Sequence, residues 1–362
     1  MKKVIFISAL AIAAAVSCTK SDIVDTAVDN AIKFENYVGR DAQTKAAIVK
    51  GVSSVNVNAW LHTAGVKATT ENFEANFMTN QAVTKNEDGG WTYTPAKYWP
   101  NELQAVSFVA WVPETLAEGQ QPNLAVEGAE LTFKVPSDVT KQTDLLVANP
   151  VLDVNGVPSV DLNFKHLLSR IGFQINVSGV DAADKDNTIA LTKVVLNGSF
   201  ASEGTVDMTA TTPAVAGTPA TAAYTLTGAN FGLTSNVLTN GNHANTANSY
   251  IMLIPAGNAP TNITVEYTIT TAAQGDGEPT VITNTTVFPL QPTTEGAKPF
   301  AYEAGKAYKY IFDITMDAIT FSVTETDWDE TAATPGTNII PEEEEDETPE
   351  TPETPEDETP AA

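Results

Sequence analysis

Short apolar-polar alternations separated by turn residues run through most of this 362-residue chain. Residues 106–112 alternate closely until Pro113 ends the pattern, because proline cannot donate a hydrogen bond to a sheet ladder. Asp88-Gly89-Gly90 stands between two such segments and predicts a hairpin turn, since glycine readily adopts the positive φ angles of tight turns. Long amphipathic helical patterns are hard to find. The sequence therefore predicts an all-β protein.

The predicted strands fall into two series, separated by a polar stretch at residues 179–187. The first series covers residues 32–38, 52–60, 77–83, 91–93, 106–112, 131–135, 144–148, 160–164 and 166–175. The second covers residues 192–196, 204–208, 224–226, 250–254, 263–269, 281–287, 308–315 and 318–324, with a loop predicted at 211–221. Short strands at this spacing are typical of sandwiches. We predict an N-terminal β-sandwich domain at 31–179 and a C-terminal one at 180–330.

The first eighteen residues have the layout of a bacterial secretory signal. Met1-Lys2-Lys3 is basic, residues 4–16 are apolar, and Ala15-Val16-Ser17 places small or slender residues before Cys18. The apolar run is shorter than the ~20 residues that a spanning helix needs. A cysteine at this cleavage point resembles the lipobox of bacterial lipoproteins, which implies a signal at 1–17 and acylation of Cys18. The alternative is an ordinary cleaved signal beside an incidental cysteine.

Residues 18–30 are mostly polar and predict a flexible tether behind the lipid. Within it, Thr26 in Asp25-Thr26-Ala27 matches the Asp-Thr-small pattern that resembles a Bacteroidetes O-glycosylation acceptor. A tether is a sterically suitable place for such a modification.

Charge and cysteine content restrict the partners of the chain. The net charge of −26 argues against nucleic acid and against electrostatic attraction to anionic lipid. The single cysteine is already assigned to lipidation, so no disulfide forms within the mature monomer. Residues 331–362 form an acidic Pro/Thr/Glu-rich tail whose repelling charges and prolines predict disorder. This tail is either plainly solvated or a spacer or docking segment.

Catalytic and metal-binding patterns are weak throughout the chain. The three histidines, His62, His166 and His243, have no partners at metal-ligand spacing. His166 and Ser169 lie three residues apart in an extended stretch, where their side chains point to opposite faces. Residues 184–187 lack the glycine and terminal glutamate of a calcium loop. We therefore predict no catalytic residue, no metal site and no cofactor.

Aromatic residues are concentrated in one part of the first series. Trp91, Tyr98 and Trp99 could form a platform on which sugar rings stack. The alternative is packing in the core or between domains, which is the commoner role of aromatic residues in strands.

Several segments, spread in order over most of the chain, together resemble the fimbrillin family of Bacteroidales surface lipoproteins, which supplies type V pilins and related adhesins. These segments are Ser17-Cys18, residues 32–34, 44–46, 91–93, 98–100 and 164–171, and the end segment from Gly305 to Trp328. The resemblance implies two tandem transthyretin-like Greek-key β-sandwiches. It also implies an outer-membrane, cell-surface location, with other pilin subunits or surface ligands of host or bacteria as partners.

The same resemblance implies an assembly route, in which proteolysis removes the first strand and a strand from a neighbouring subunit fills the exposed groove. The chain contains two arginines, Arg40 and Arg170. Arg170 falls in a predicted core strand, whereas Arg40 falls in the loop after the first strand. We therefore predict that an arginine-specific protease cuts after Arg40, so that Asp41 becomes the new amino terminus.

The carboxyl-terminal sequence departs from the pattern expected of a polymerising subunit. Such a subunit should end in an apolar alternating donor strand, which residues 341–362 cannot form. Residues 337–340 are too short to fill a long groove alone. This departure favours an accessory, tip or anchor-like subunit, or a tethered adhesin.

The sequence thus predicts a non-enzymatic surface lipoprotein, either a pilus subunit or an accessory or tip adhesin assembled by strand exchange. The alternative is a glycan-binding surface lipoprotein that serves nutrient capture and does not polymerise.

Overall fold

The computed structural model describes residues 30–38, 53–113, 124–179, 187–271, 273, 277–293, 297–315 and 318–328. These residues form strands and a few short 3-10 helices, which confirms the all-β prediction. The strands are β1 (Phe34–Val38), β2 (Ser54–Thr63), β3 (Met78–Lys85), β4 (Trp91–Thr92), β5 (Gln104–Val112), β6 (Leu124–Glu127), β7 (Glu130–Lys134), β8 (Leu146–Ala148), β9 (Val151–Val154), β10 (Val160–His166), β11 (Ser169–Val177), β12 (Asn187–Ala201), β13 (Glu203–Asp207), β14 (Ala216–Gly217), β15 (Ala220–Leu226), β16 (Val237–Leu238), β17 (Gly241–Ala244), β18 (Ile251–Thr271), β19 (Thr280–Pro289), β20 (Lys306–Ile314) and β21 (Ile319–Asp327). The 3-10 helices are Val139–Lys141, Gly228–Phe231, Thr234–Asn236 and Ala247–Ser249.

The chain divides into two compact units, each assembled from separated stretches of sequence. The first contains the described residues of Met1–Glu114, Ala148–Phe164 and Met208–Thr211, and the second contains those of Thr115–Val147, Lys165–Asp207 and Thr212–Ala362. This division differs from the predicted ranges because β11, which precedes residue 180, pairs in parallel with β20. The ranges 31–179 and 180–330 stay a prediction about which stretches fold independently.

One large sheet has the strand order β1-β10-β8-β5-β2-β3-β4, with β9 paired to β5. Its central strands β2 and β5 are buried along nearly their whole length, on both faces. The predicted hairpin between β3 and β4 is confirmed: Gly89 has a φ of +86° and Lys85 pairs with Trp91. The position of β1 at the end of the strand order leaves it as an edge strand.

The second unit contains a sheet with the order β15-β12-β18-β11-β20-β21, to which β16, β17 and β19 attach at the side. A smaller sheet has the order β14-β13-β7-β6. The 21-residue β18 replaces two separately predicted strands. Bulges in its pairing with β12 let it continue, and one of them lies at Gly198, where an added Cβ would sit 2.8 Å from the Ala259 carbonyl oxygen.

Aromatic rings anchor the strands of the second unit to its core. Phe173 of β11 stacks on Tyr310 and Phe312 of β20, with ring centroids 5.8 and 6.4 Å apart. Phe288 of β19 packs on Phe312 at 5.4 Å and is 7 % exposed. The alternation of side chains along β19 is therefore fixed by its buried phenylalanine.

Five short strands were not predicted by the sequence. They are β6, β9, β14, β16 and β17, each two to four residues long. Strands of this length contain too few residues to establish an apolar-polar alternation, so the sequence pattern does not distinguish them from loops.

Candidate functional site

The chain just before β1 is hydrogen-bonded to a neighbouring loop. The N–H of Ile32 donates to the carbonyl of Lys97 at 2.9 Å, and the N–H of Trp99 donates to the carbonyl of Asn30 at 3.1 Å. The intervening residues form an isolated antiparallel bridge. The entry to β1 is thus paired as a strand although its neighbour is a loop.

The strand β1 itself lies parallel to β10. Its register runs from Phe34 opposite Val160 to Val38 opposite Phe164. The N–H of Val160 donates to the carbonyl of Lys33 at 2.7 Å, which joins the start of β1 to the same edge. The amino-terminal segment therefore changes partner from a loop to a strand within a few residues.

Two apolar side chains of this segment enter the core. Ile32 is 2 % and Phe34 is 4 % exposed. The Phe34 ring meets Tyr93 at 5.3 Å and Phe108 at 5.7 Å, edge to face in both cases. Burial of two such side chains contributes roughly 1.5–3 kcal/mol each. We call the cleft that they fill, lined by Tyr93, Phe108 and the edge of β10, the β1 groove.

The hydroxyl of Tyr93 closes this arrangement by donating to the carbonyl of Ile32 at 2.9 Å. The N–H of Lys97 in turn donates to the Tyr93 oxygen at 3.3 Å. Burial raises the pKa of Tyr93, so the phenol keeps its proton at neutral pH. Tyr93 thereby joins the segment before β1 to the loop that contains Lys97. Sequence reasoning missed this role because the partner is a backbone atom distant in sequence.

The three residues of the predicted sugar platform differ in exposure. Trp99 is 7 % exposed and packs edge to face on Phe108 at 6.0 Å. Tyr98 is 46 % exposed, and Trp91 is half-buried in β4. Trp99 thus presents no ring face to solvent, and a platform there would depend on Trp91 and Tyr98.

Four predicted site residues lie outside the described residues. They are the lipidation residue Cys18, the glycosylation candidate Thr26, and the processing pair Arg40 and Asp41. Arg40 follows the last residue of β1 by two positions in the sequence. The roles of all four stay predictions.

The other arginine lies close to two aromatic rings in the second unit. The guanidinium of Arg170 lies 5.1 Å from the ring centre of Tyr250 and 5.0 Å from that of Trp328. His166 stacks on Trp328 at 4.4 Å with the rings 5° from parallel, and its Nδ1 lies 2.5 Å from the Asp144 carboxylate. Arg170 lies in β11, within the stretch predicted as a strand, and its side chain is half-buried. Sequence reasoning did not foresee that the residue after β21 provides one of the rings.

Ser169 does not meet His166 in a catalytic pair. Its hydroxyl donates to the carbonyl of Glu303 at 2.8 Å, and the serine is fully buried. Among the described residues, no group of three or more His, Cys, Asp or Glu side chains could hold a metal ion.

A His–Ser contact does occur in the first unit, where His62 and Ser107 are both buried. His62 Nε2 lies 2.8 Å from Ser107 Oγ, and Nδ1 lies 2.9 Å from the carbonyl of Thr63. The carbonyl can only accept, so the network assigns the proton to Nδ1 and lets Nε2 accept from the serine. Ser107 is 0 % and His62 is 7 % exposed, which places the pair out of a substrate's reach.

The fold and the groove define a multi-sheet β-protein whose first strand is docked at a sheet edge. The profile of the Fimbrillin-like family matches residues 49–328, and the chain belongs to this family. The resemblance inferred from the sequence is thereby confirmed. This family consists of structural and adhesion proteins rather than enzymes, which agrees with the predicted class, and membership indicates a location at the cell surface.

Solved structures of proteins from Bacteroides species were compared with the chain. A fimbrial protein from Bacteroides vulgatus has a TM-score of 0.57 and 17% identity, with 82% of this chain and 99% of that chain covered. A candidate cell adhesion protein from Bacteroides uniformis has a TM-score of 0.46 and 20% identity, covering 83% and 100% respectively. A search of curated proteins found no match. In the part of the chain that the structure describes, no helix is long and apolar enough to cross a membrane.

Proposed function

We propose that this chain is a fimbrial subunit or accessory adhesin, exported as a lipoprotein and held at the outer membrane by an acylated Cys18. In this proposal, the amino-terminal segment fills the β1 groove until a protease cuts after Arg40. A strand from a neighbouring subunit then takes its place. The observation that supports this most directly is the burial of Ile32 and Phe34 in the core. Their segment is short, because β1 has only five residues, and it lies at a sheet edge.

The position of β1 suits a strand that is to be replaced. Because β1 ends the strand order, its loss would leave the pairing among the remaining strands of that sheet intact. A cut after Arg40 would remove the covalent link on that side, so that hydrogen bonds, including the one from the Tyr93 hydroxyl, and the burial of Ile32 and Phe34 would hold the segment in place. Such a segment can be displaced by a competing strand without unfolding the rest of the unit.

An empty groove would be unfavourable, and this explains why a replacement strand would bind. Loss of the segment would uncover the edge of β10 and remove the partners of the Lys97 carbonyl and the Trp99 and Val160 N–H groups. Unpaired sheet edges promote association with other chains. An incoming strand that supplies main-chain hydrogen bonds and an apolar side chain at the Phe34 position would restore both.

The acidic tail favours an accessory role over a stalk role. Residues 341–362 are rich in glutamate and proline and cannot serve as an apolar donor strand for a neighbour's groove. In this proposal the chain accepts a strand in the β1 groove and does not use residues 341–362 as a donor strand. If the cut does not occur, the same protein remains a lipid-tethered adhesin.

Digestion of the folded chain tests the proposed cut. An arginine-specific protease should produce one new amino terminus, at Asp41, and neither Arg40→Ala nor the charge-preserving Arg40→Lys variant should be cut there. A new terminus at Ile171 would instead mean that Arg170 is accessible. That result, or resistance of the unaltered chain, would contradict the proposal.

Peptide binding tests whether the groove accepts a strand. A labelled peptide of residues 30–38 should bind the cut protein after its own segment has been removed, and a peptide carrying Phe34→Ala should bind at least tenfold more weakly. Equal binding of the two peptides would exclude the groove as the site. On cells, electron microscopy should show that Arg40→Ala abolishes fibres, and fibres that persist in this variant would contradict a role for the cut.

Glycan capture is the second candidate function, and the exposed ring of Tyr98 supports it. Sugar binding would then involve Tyr98 with Trp91. A glycan array on the unaltered chain and on Tyr98→Ala tests this, with Leu103→Ala as a control at an exposed position without a ring. Selective loss of sugar binding in Tyr98→Ala would support capture, whereas no sugar binding by the unaltered chain would exclude it.

A further inference from the structure

The strand β19 is an unusually exposed edge. Among the described residues it pairs only with β18, over the full ten residues from Thr280 to Pro289. Its large apolar side chains include Val281, Ile282 and Val287, which are 60, 53 and 55 % exposed. Among the other large hydrophobic residues described in the second unit, the most exposed is Val237, at 37 %.

Two features by which natural proteins protect such an edge, charged residues and internal prolines, are absent from β19. No residue between Thr280 and Pro289 is charged, and the proline comes only at the last position. Charged residues and prolines normally prevent a free edge from pairing with another chain. The edge strand β21 carries Glu325 and Asp327, and β15 exposes only alanine and threonine. Two copies of a chain with a net charge of −26 repel each other over most of their surfaces. The uncharged ten-residue edge of β19 is a place where a second copy can approach closely.

The order of side chains along β19 is close to a palindrome. Phe288 faces the core, so the alternation of a strand places Val281, Thr283, Thr285 and Val287 together on the outer face. An antiparallel partner centred on Asn284 would set Val281 against Val287 and Thr283 against Thr285. The two-fold axis then repeats both pairs, as an isologous interface requires. Pairs of β-branched residues across strands are stabilising.

We propose that β19 is a dimerisation strand, which pairs antiparallel with β19 of a second copy of this chain about an axis at Asn284. The pairing would join the sheets of the two copies into one continuous sheet. This interface does not depend on the β1 groove, since β19 belongs to the second unit and the groove to the first.

Disulfide cross-linking tests the proposed register. In a chain carrying Cys18→Ser, an Asn284→Cys substitution introduces the only thiol, which the axis would place opposite its symmetry mate. Residues directly opposite in antiparallel strands have Cα atoms about 4.5–5.5 Å apart, within reach of a disulfide. Mild oxidation should give mostly covalent dimer. The matched Thr225→Cys variant, on edge strand β15 of the same unit, should remain mostly monomeric, and equal cross-linking of the two variants would overturn the proposal.

Sedimentation equilibrium tests the interface without a cross-link. Sedimentation of the Cys18→Ser chain at protein concentrations up to about 100 µM should show a reversible monomer–dimer equilibrium. Concentrations this high reveal even weak association. Thr283→Lys should raise the dissociation constant at least tenfold, because two like charges then lie in the interface, whereas Thr225→Lys should leave it unchanged. Unaltered circular dichroism and thermal midpoints would establish that both variants fold. A monomeric parent chain at every concentration, or equal weakening by both lysines, would overturn the proposal.

Discussion

The Tyr93 hydroxyl donates a 2.9 Å hydrogen bond to the backbone carbonyl of Ile32, and this contact fastens the amino-terminal segment to the rest of the first unit. The bond acts on the main chain of the segment, so it is independent of the apolar side chains that the segment buries. Replacement of the tyrosine therefore separates the hydrogen-bonded from the apolar contribution to docking.

Tyr93→Phe should weaken the docking of this segment while keeping the ring that packs on Phe34. The loss of one partly buried hydrogen bond should lower the free energy of unfolding by about 1 kcal/mol. Urea unfolding measures this change, with Tyr98→Phe as the control because its ring is 46 % exposed. An equal effect of both substitutions would show that the Tyr93–Ile32 bond contributes nothing specific.

Phe34→Ala should destabilise the first unit more strongly. The ring is 4 % exposed and touches two other rings, so its removal leaves a cavity whose cost is about 3–5 kcal/mol. Thermal or denaturant unfolding measures the loss, and Leu103→Ala, at an 80 % exposed site, should change stability by less than about 0.5 kcal/mol. Stability that is retained in Phe34→Ala would mean that the β1 groove does not need its occupant.

Arg170→Lys should destabilise the second unit even though the charge is kept. The planar guanidinium lies about 5 Å from the centres of two rings, and a lysine ammonium cannot stack on both in the same way. We expect a loss of about 1 kcal/mol in thermal unfolding. Lys309→Ala, which removes an exposed cation from β20, should have little effect, and an equal loss in the two variants would argue against the stack.

The stability of the second unit should fall at alkaline pH. Burial raises the pKa of Tyr224 from its usual value of 10.0 to about 12. A group whose pKa is higher in the folded state contributes its full stability below the unfolded value and loses it as pH rises toward the folded one. The loss should therefore begin near pH 10, at about 1.4 kcal/mol per pH unit for this one tyrosine.

Unfolding free energies at pH 8, 10 and 11.5 measure this dependence. Tyr224→Phe should reduce its slope, because the ring remains while the ionisable hydroxyl is lost. The buried Tyr302–Tyr310 pair, whose hydroxyls lie 2.8 Å apart, should add to the same trend, since burial raises the pKa of both. A flat profile up to pH 12 in the unaltered chain would contradict the expectation.

Local sequence patterns were sufficient for most of the longer strands and for one turn. The alternation of residues 106–112 and the stop at Pro113 correspond to β5, which ends at Val112. The glycine pair at 89–90 corresponds to the turn between β3 and β4. These features depend on period-two alternation and on backbone freedom, both of which are properties of adjacent residues.

The burial of individual aromatic residues was not predictable in the same way. Trp99 and Tyr98 are neighbours in sequence, yet one is 7 % and the other 46 % exposed. The difference arises because Trp99 packs on Phe108, a residue of another strand. A platform inferred from sequence neighbours therefore included a ring that belongs to the core.

The sequence by itself determined that the chain is all-β, that it resembles fimbrillins, and that one of its two arginines follows the first strand. The tertiary structure alone decided that β11 joins β20 across the polar stretch at 179–187, that Tyr93 fastens the segment at Ile32, and that β19 remains at an edge. Alternation is a local property that any strand carries, whereas the choice of a partner strand depends on contacts between residues far apart in the chain. Those contacts decide which edges are filled and which are left open for another chain.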